Sequence, residues 1–131
     1  MKALISILFL SLIVSTQAGW NLEEKKINFL IQEIEKVEGT FVRNGDEHTP
    51  SEAAKHLRMK LKNALNSWFT PSKEKWTADL FIEKVASKSS LSGTTYKIKL
   101  DSGKVVTTSS WLKNKLLTFK NKPIKSHLIA P

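Results

Sequence analysis

Apolar positions along the chain recur at helical spacing, interrupted by short polar turns, until about residue 95, where strict alternation replaces them. Ile27, Leu30, Ile31, Ile34 and Val37 fall on one face of a first helix, with Glu23, Lys26, Glu33 and Lys36 on the solvated one. Asn21, with Glu24 three residues on, predicts the N-cap of this helix, and Gly39 predicts its stop. A short extended piece, Thr40 to Val42, then meets Arg43-Asn44-Gly45-Asp46, where Asn-Gly predicts a tight turn because both residues tolerate positive φ. Thr49-Pro50-Ser51-Glu52 is the clearest local signal: Thr caps, Pro takes the first helical position and Glu completes a capping box. In the second helix Ala53, Ala54, Leu57, Leu61, Ala64, Leu65 and Trp68 share an arc of about 120°, the width of a core-facing stripe.

Phe69 to Lys75 reads as a loop. Thr77 caps a third helix in which Ala78, Phe81, Ile82, Val85 and Ala86 form the buried stripe, with Trp76 and Phe81 at hydrophobic-staple positions. A hydroxyl-rich loop, Lys88 to Thr95, leads to the alternating run Tyr96 to Leu100, a half-buried strand. Asp101-Ser102-Gly103-Lys104 turns it into a second strand, Val105 to Thr108. Ser109 or Ser110 then caps a last helix with Leu112, Leu116 and Phe119 inward. The predicted fold is α+β: a small, mostly helical domain of three to four helices with one β-hairpin between the third and last helix.

At the N-terminus Lys2 precedes an apolar run, Ala3 to Val14, followed by Ser15-Thr16-Gln17-Ala18. The run falls short of the roughly 20 residues that span a bilayer. It reads as a signal peptide over residues 1–18, cleaved near Ala18/Gly19, which predicts a periplasmic or secreted protein with no transmembrane segment after cleavage. Residues 19–119 then form a single domain, and residues 120–131, with Pro123 and Pro131, a loose basic tail. The chain has no cysteine, which excludes a disulfide scaffold and thiolate metal sites.

Charge divides unevenly. The formal net charge is +9, and residues 84–131 hold 10 lysines against Asp101 alone, whereas residues 19–83 carry 10 basic and 11 acidic side chains. Lys97, Lys99, Lys104, Lys113 and Lys115 make up a basic patch able to attract polyanions. Arginine is confined to Arg43 and Arg58, which argues against nucleic-acid reading. The partner expected for such a patch in an exported protein is an anionic envelope component, such as a lipid head group or cell-wall polymer, or another envelope protein.

Nucleophilic catalysis would have to use Ser89, Ser90 or Ser92, but none of them stands in a G-x-S-x-G elbow or a Ser-x-x-Lys motif, and the sequence has no Gly-rich phosphate loop. His48, Glu52 and His56 are the nearest approach to a ligand set, but they lack the paired-histidine arrangement of a zinc protease, so no metal, cofactor or catalytic residue is assigned. On the second helix His56 lies outside one edge of the apolar arc and Arg58 flanks the other.

Phe41-Val42-Arg43-Asn44-Gly45, then Glu52-Ala53-Ala54 leading to His56-Leu57-Arg58-Met59-Lys60-Leu61, form one block of motifs. Thr77-Ala78, Phe81-Ile82, Ala86-Ser87-Lys88-Ser89-Ser90-Leu91-Ser92-Gly93 and Tyr96 form a second, and Trp111-Leu112 with Leu116 a closing one. Together they resemble the YfeK-like family of small exported bacterial proteins of unknown function, over about Leu22 to Phe119. The stretch Asn66 to Trp76, with Trp68, Phe69 and Trp76, is longer than the family pattern. The resemblance implies export and a shared fold, not an activity. It singles out Arg43, Asn44, His56, Arg58, Lys60, Ser89, Ser90, Ser92 and Tyr96, which are expected to meet around one polar pocket or contact surface. The expectation is a non-enzymatic binding or envelope-associated module; the alternative is a small periplasmic hydrolase or transferase using the His/Arg/Ser cluster.

Overall fold

The structure, a computed structural model, describes the backbone of residues 4–121 and the side chains of residues 19–120. The first helix, α1, runs without a break over Leu4–Glu35. Asn21 therefore sits inside α1 and does not cap it, because the apolar segment before it is itself helical and already supplies the preceding turns. The stripe beyond Asn21 is as expected: Ile27, Leu30, Ile31 and Ile34 are buried, and Trp20 joins them from two turns earlier. Residues 122–131, which include most of the predicted tail, and the side chains of the predicted signal segment lie outside the described residues. Among the described residues no helix is long and apolar enough to cross a membrane.

The sheet is larger than the single predicted hairpin. β1 (Gly39–Arg43) and β2 (Asp46–His48) form a first hairpin, β3 (Lys97–Leu100) and β4 (Val105–Thr107) a second, and β1 joins β3 to give an antiparallel sheet in the order β2-β1-β3-β4. Asn44 (φ 52°) and Gly45 (φ 82°) both take left-handed backbone at the first turn, as the Asn-Gly pair predicts. Phe41 pairs with His48 on one side and Ile98 on the other, and Ile98 with Val106. Phe41 and Ile98 point into the core, while the alternate positions Lys97 and Lys99 are solvent-exposed on the open face. The three-residue edge strand β2 shows why it escaped prediction: Asp-Glu-His carries no apolar alternation, so backbone pairing to β1 alone defines it.

α2 (Pro50–Leu65) and α4 (Thr108–Asn121) contact both the sheet and α1, and α3 (Ala78–Phe81), which continues through a π-helical turn at Ile82–Ala86, packs among α1, α2 and α4. The Thr49 capping box is complete: Glu52 N donates to Thr49 Oγ1 at 3.2 Å and Thr49 N to Glu52 Oε2 at 2.8 Å. All five residues of the third-helix stripe are buried, as is Trp76, whose indole N–H donates to the Pro71 carbonyl at 3.0 Å. Two boundaries move. α4 begins at Thr108, and Thr107, rather than Ser109 or Ser110, accepts from the Ser110 N–H at 3.2 Å as cap. α2 ends at Leu65, so Trp68 leaves the apolar arc it would occupy on a longer helix and stands almost wholly in solvent.

Candidate functional site

Three segments converge at one end of the sheet: the β1–β2 turn, the outward flank of α2, and the loop from Ser87 to Tyr96. The loop is closed at its base, where Lys88 bridges Thr95 and Tyr96 N–H donates to the Ser87 carbonyl at 2.9 Å. Inside it Ser89 N–H donates to Thr94 O and Gly93 N–H to Ser89 O, at 2.9 and 3.0 Å, with Gly93 supplying the left-handed φ of 71°. The buried Ser89 hydroxyl accepts from Leu91 N and Ser92 N, both at 3.3 Å. Asn44, at the tip of the β-turn, clamps this loop: its Oδ1 accepts from Ser92 Oγ at 2.7 Å, and its amide nitrogen reaches Ser89 Oγ at 3.5 Å. Asn44, Ser89 and Ser92 are thus spent on each other and on the loop backbone. Ser90 remains exposed on the cavity wall.

Beneath the loop, α2 contributes His56 and Lys60, one turn apart on the same flank. Lys60 Nζ donates to the Tyr96 hydroxyl oxygen at 3.1 Å and to the Lys88 carbonyl at 3.0 Å. His56 Nε2 lies 3.4 Å from the same hydroxyl, edge-on to the phenol ring. With Lys60 donating to the phenol oxygen, the phenol proton is free to point at His56. A neutral imidazole has the acceptor nitrogen to receive it. The ring is neutral for a physical reason: partial burial, with the nearby charges of Arg43, Lys60 and His48, pushes its pKa down from 6.5 to about 4. Burial and then Arg43 also lower the pKa of Lys60, and burial raises that of Tyr96.

These groups border a groove of about 1110 Å³ lined by Arg43, Asn44, His56, Lys60, Ser89, Ser90 and Tyr96, together with side chains the sequence did not flag, notably Met59, Phe69, Lys84 and Leu91. Arg58 takes no part in it. Its guanidinium grips Glu35 at the end of α1 through two hydrogen bonds of 3.1 and 3.2 Å, holding the Glu35 pKa below its usual value, and it borders a separate, shallower depression beside α2. The wheel geometry that put His56 and Arg58 on opposite flanks was the available signal.

Neither Arg43 nor Lys60 forms an ion pair among the described residues. Glu52, in the first turn of α2, is engaged by the Thr49 N–H, which with the nearby charges of His48, whose Nδ1 stands 3.9 Å away, and Arg43 holds its pKa below the usual value. The lysine patch contrasts with this. Lys99 is 3.7 Å from Glu47, and Lys115 is 3.3 Å from Glu33 and lies over the Trp111 ring, so folding brings acidic groups of the first half against it; Lys97, Lys104 and Lys113 lie outside the groove lining. Among the described residues no three His, Asp or Glu side chains converge as metal ligands would.

Comparison with known proteins places the chain. The uncharacterized protein YfeK of Salmonella typhimurium (strain LT2) is 45% identical over 75 residues, which cover 56% of this chain and 57% of that protein. The chain thus matches somewhat over half the length of this relative. No solved structure matches at a significant level. Residues 21–120, which hold every element from the C-terminal half of α1 through α4, match the family of unknown function DUF5329, and the chain belongs to that family.

Proposed function

We propose that this protein is an exported, non-enzymatic binding module of the cell envelope, and that the groove between the β1–β2 turn, α2 and the Ser87–Tyr96 loop takes an anionic group. The supporting observation is the positive charge gathered there: among the described residues neither Arg43 nor Lys60 forms an ion pair, Glu52 acts on Arg43 only at longer range, and both cations depress the neighbouring His56. A folded domain does not gain by holding like charges together without a counter-charge, and an anion relieves the repulsion. The Ser90 hydroxyl and the rim of the clamped loop add hydrogen-bonding capacity.

A binding role is favoured over hydrolysis by how the polar groups are spent. The imidazole of His56 meets a phenol, not a serine hydroxyl, and the Ser89 and Ser92 hydroxyls hold the loop to Asn44. A nucleophile needs a base within hydrogen-bond reach and a group orienting that base.

The pH dependence follows in sign. Free His56 stays neutral down to about pH 4, while its unfolded reference is 6.5. The unfolded chain therefore binds the extra proton first, and this residue costs stability as pH falls through that interval. A bound anion raises the folded pKa, so affinity must increase as pH drops from 7 towards 5. Sulfate, which keeps its charge over this range, is the probe: NMR titration of the His56 ring is expected to show a midpoint near 4 without sulfate and a clearly higher one with it. An unchanged midpoint at saturating sulfate would exclude the anion from this groove. For export, mass spectrometry of protein released from the periplasm is expected to give an N-terminus near Gly19; recovery only in the cytoplasm with the N-terminus intact would contradict it.

A further inference from the structure

We propose that the anion in this groove is the phosphate of a phospholipid head group, and that the protein docks on an anionic bilayer by inserting Trp68, Phe69 and Leu91. The inference rests on the anion-binding reading and adds the source of the anion. Trp68, Phe69 and Leu91 are 98%, 99% and 98% exposed. Single exposed apolar residues are ordinary, but these three stand on two loops that face each other across one groove, where Phe69, Leu91 and the half-exposed Met59 form part of the lining.

Both loops are braced so that their tips project instead of folding inward. After α2, the Thr70 hydroxyl donates to the carbonyls of Ala64 and Ser67, Phe69 N–H donates to Ser67 Oγ at 3.2 Å, and buried Trp76 pins Pro71. The opposite loop is held by Asn44 through Ser92 and by Lys60 through the Lys88 carbonyl. Apolar tips therefore share the groove with the cations Arg43, Lys60 and Lys84, of which Lys84 also stands 4.0 Å from Glu83. That layering matches a membrane interface, where aromatic and aliphatic tips enter the acyl boundary while cations stay at phosphate level. A protein partner offers no comparable reason for apolar tips set beside a group of cations; a bilayer supplies both layers at once.

The test uses the full chain with vesicles of phosphatidylethanolamine and phosphatidylglycerol carrying dibrominated acyl chains, which quench tryptophans that enter the bilayer. The emission difference between wild type and Trp68→Phe reports Trp68 alone, whatever the first 18 residues do. That difference is expected to be quenched and blue-shifted on these vesicles and unaffected by phosphatidylcholine vesicles. Removing the Lys60 charge in Lys60→Met should weaken the effect about fivefold, and Phe69→Ser with Leu91→Ser at least about tenfold. An unquenched Trp68, in protein whose His56 still responds to sulfate, would overturn bilayer docking and leave the anion site standing. No response to either probe would overturn both. Equal quenching on neutral vesicles would overturn docking through the cationic floor.

Discussion

A double variant, Arg43→Gln with Lys60→Met, is expected to lose sulfate affinity by at least about a hundredfold while remaining folded, because hydrogen bonds from charged donors contribute about 1.5–3 kcal/mol each. Neither side chain holds the core together. Arg43 ends β1 with no ion pair among the described residues, and Lys60 makes polar contacts to the Lys88 carbonyl and the Tyr96 hydroxyl, so its loss removes one tie on the loop while the Asn44 clamp keeps the other. A second readout separates charge removal from collapse: burial, the largest cause of the low His56 pKa, stays in the folded variant, but with two of the three charged neighbours gone the ring should titrate above about 4 even without ligand. Isothermal titration calorimetry and the His56 ring signals check the two halves. Undiminished sulfate binding by the double variant would show that the anion is held elsewhere.

Gly39→Ala is expected to destabilise the domain by about 3 kcal/mol, an overpacking cost at the upper end of its usual range. A Cβ at this position would stand 2.4 Å from the Lys99 carbonyl oxygen and 3.0 Å from Leu100 Cα, and both are backbone atoms of the paired strand, so no side-chain rotation relieves the clash. Gly39 opens β1 opposite Leu100, at the seam where the two hairpins become one sheet. Parting that seam moves Arg43 and Asn44 away from the Ser87–Tyr96 loop, so the variant should also bind sulfate poorly in proportion to its loss of structure. Chemical denaturation checks the stability term; a midpoint equal to wild type would mean that β1 and β3 pair less closely than described.

How far the sequence spoke depends on the range of each interaction. Thr49 and Thr77 were legible as caps because capping is settled within four residues, and the stripes of α1 and of the third helix because burial follows helical period. Asn44-Gly45 announced its turn through backbone preference alone. What the pattern could not carry was pairing between distant segments. Gly39 looked like a helix stop and Thr40 to Val42 like a short extended piece; only the partner strand, with Leu100 opposite Gly39 and Lys97 opposite Val42, makes them the centre of a sheet. Trp68 misled for the opposite reason, since the periodic stripe runs past the residue where α2 actually ends.

The site divides in the same way. His56, Lys60, Tyr96 and Arg43 are brought together, yet the serines and Asn44 prove to be the clamp that positions a loop, and Arg58 belongs to a contact with Glu35. Helix phase already separated Arg58 from His56, whereas the engagement of Ser92 with Asn44, 48 positions apart, is tertiary and left no local trace. The linear division of charge was likewise softened by folding, which sets Glu33 and Glu47 beside lysines of the basic half. The cations that matter, Arg43 and Lys60, form no ion pair among the described residues and lie in the stretch whose net charge is close to zero.

The central claim is that the groove floor is an anion site, and an NMR titration of the wild-type protein with sodium sulfate against a sodium chloride control tests it most directly. Saturable shifts of the His56 and Tyr96 rings and of the Ser90 and Leu91 amides are expected, with the His56 pKa rising from about 4. Shifts confined to Lys97, Lys99, Lys104, Lys113 and Lys115, with His56 and Tyr96 unmoved, would contradict it.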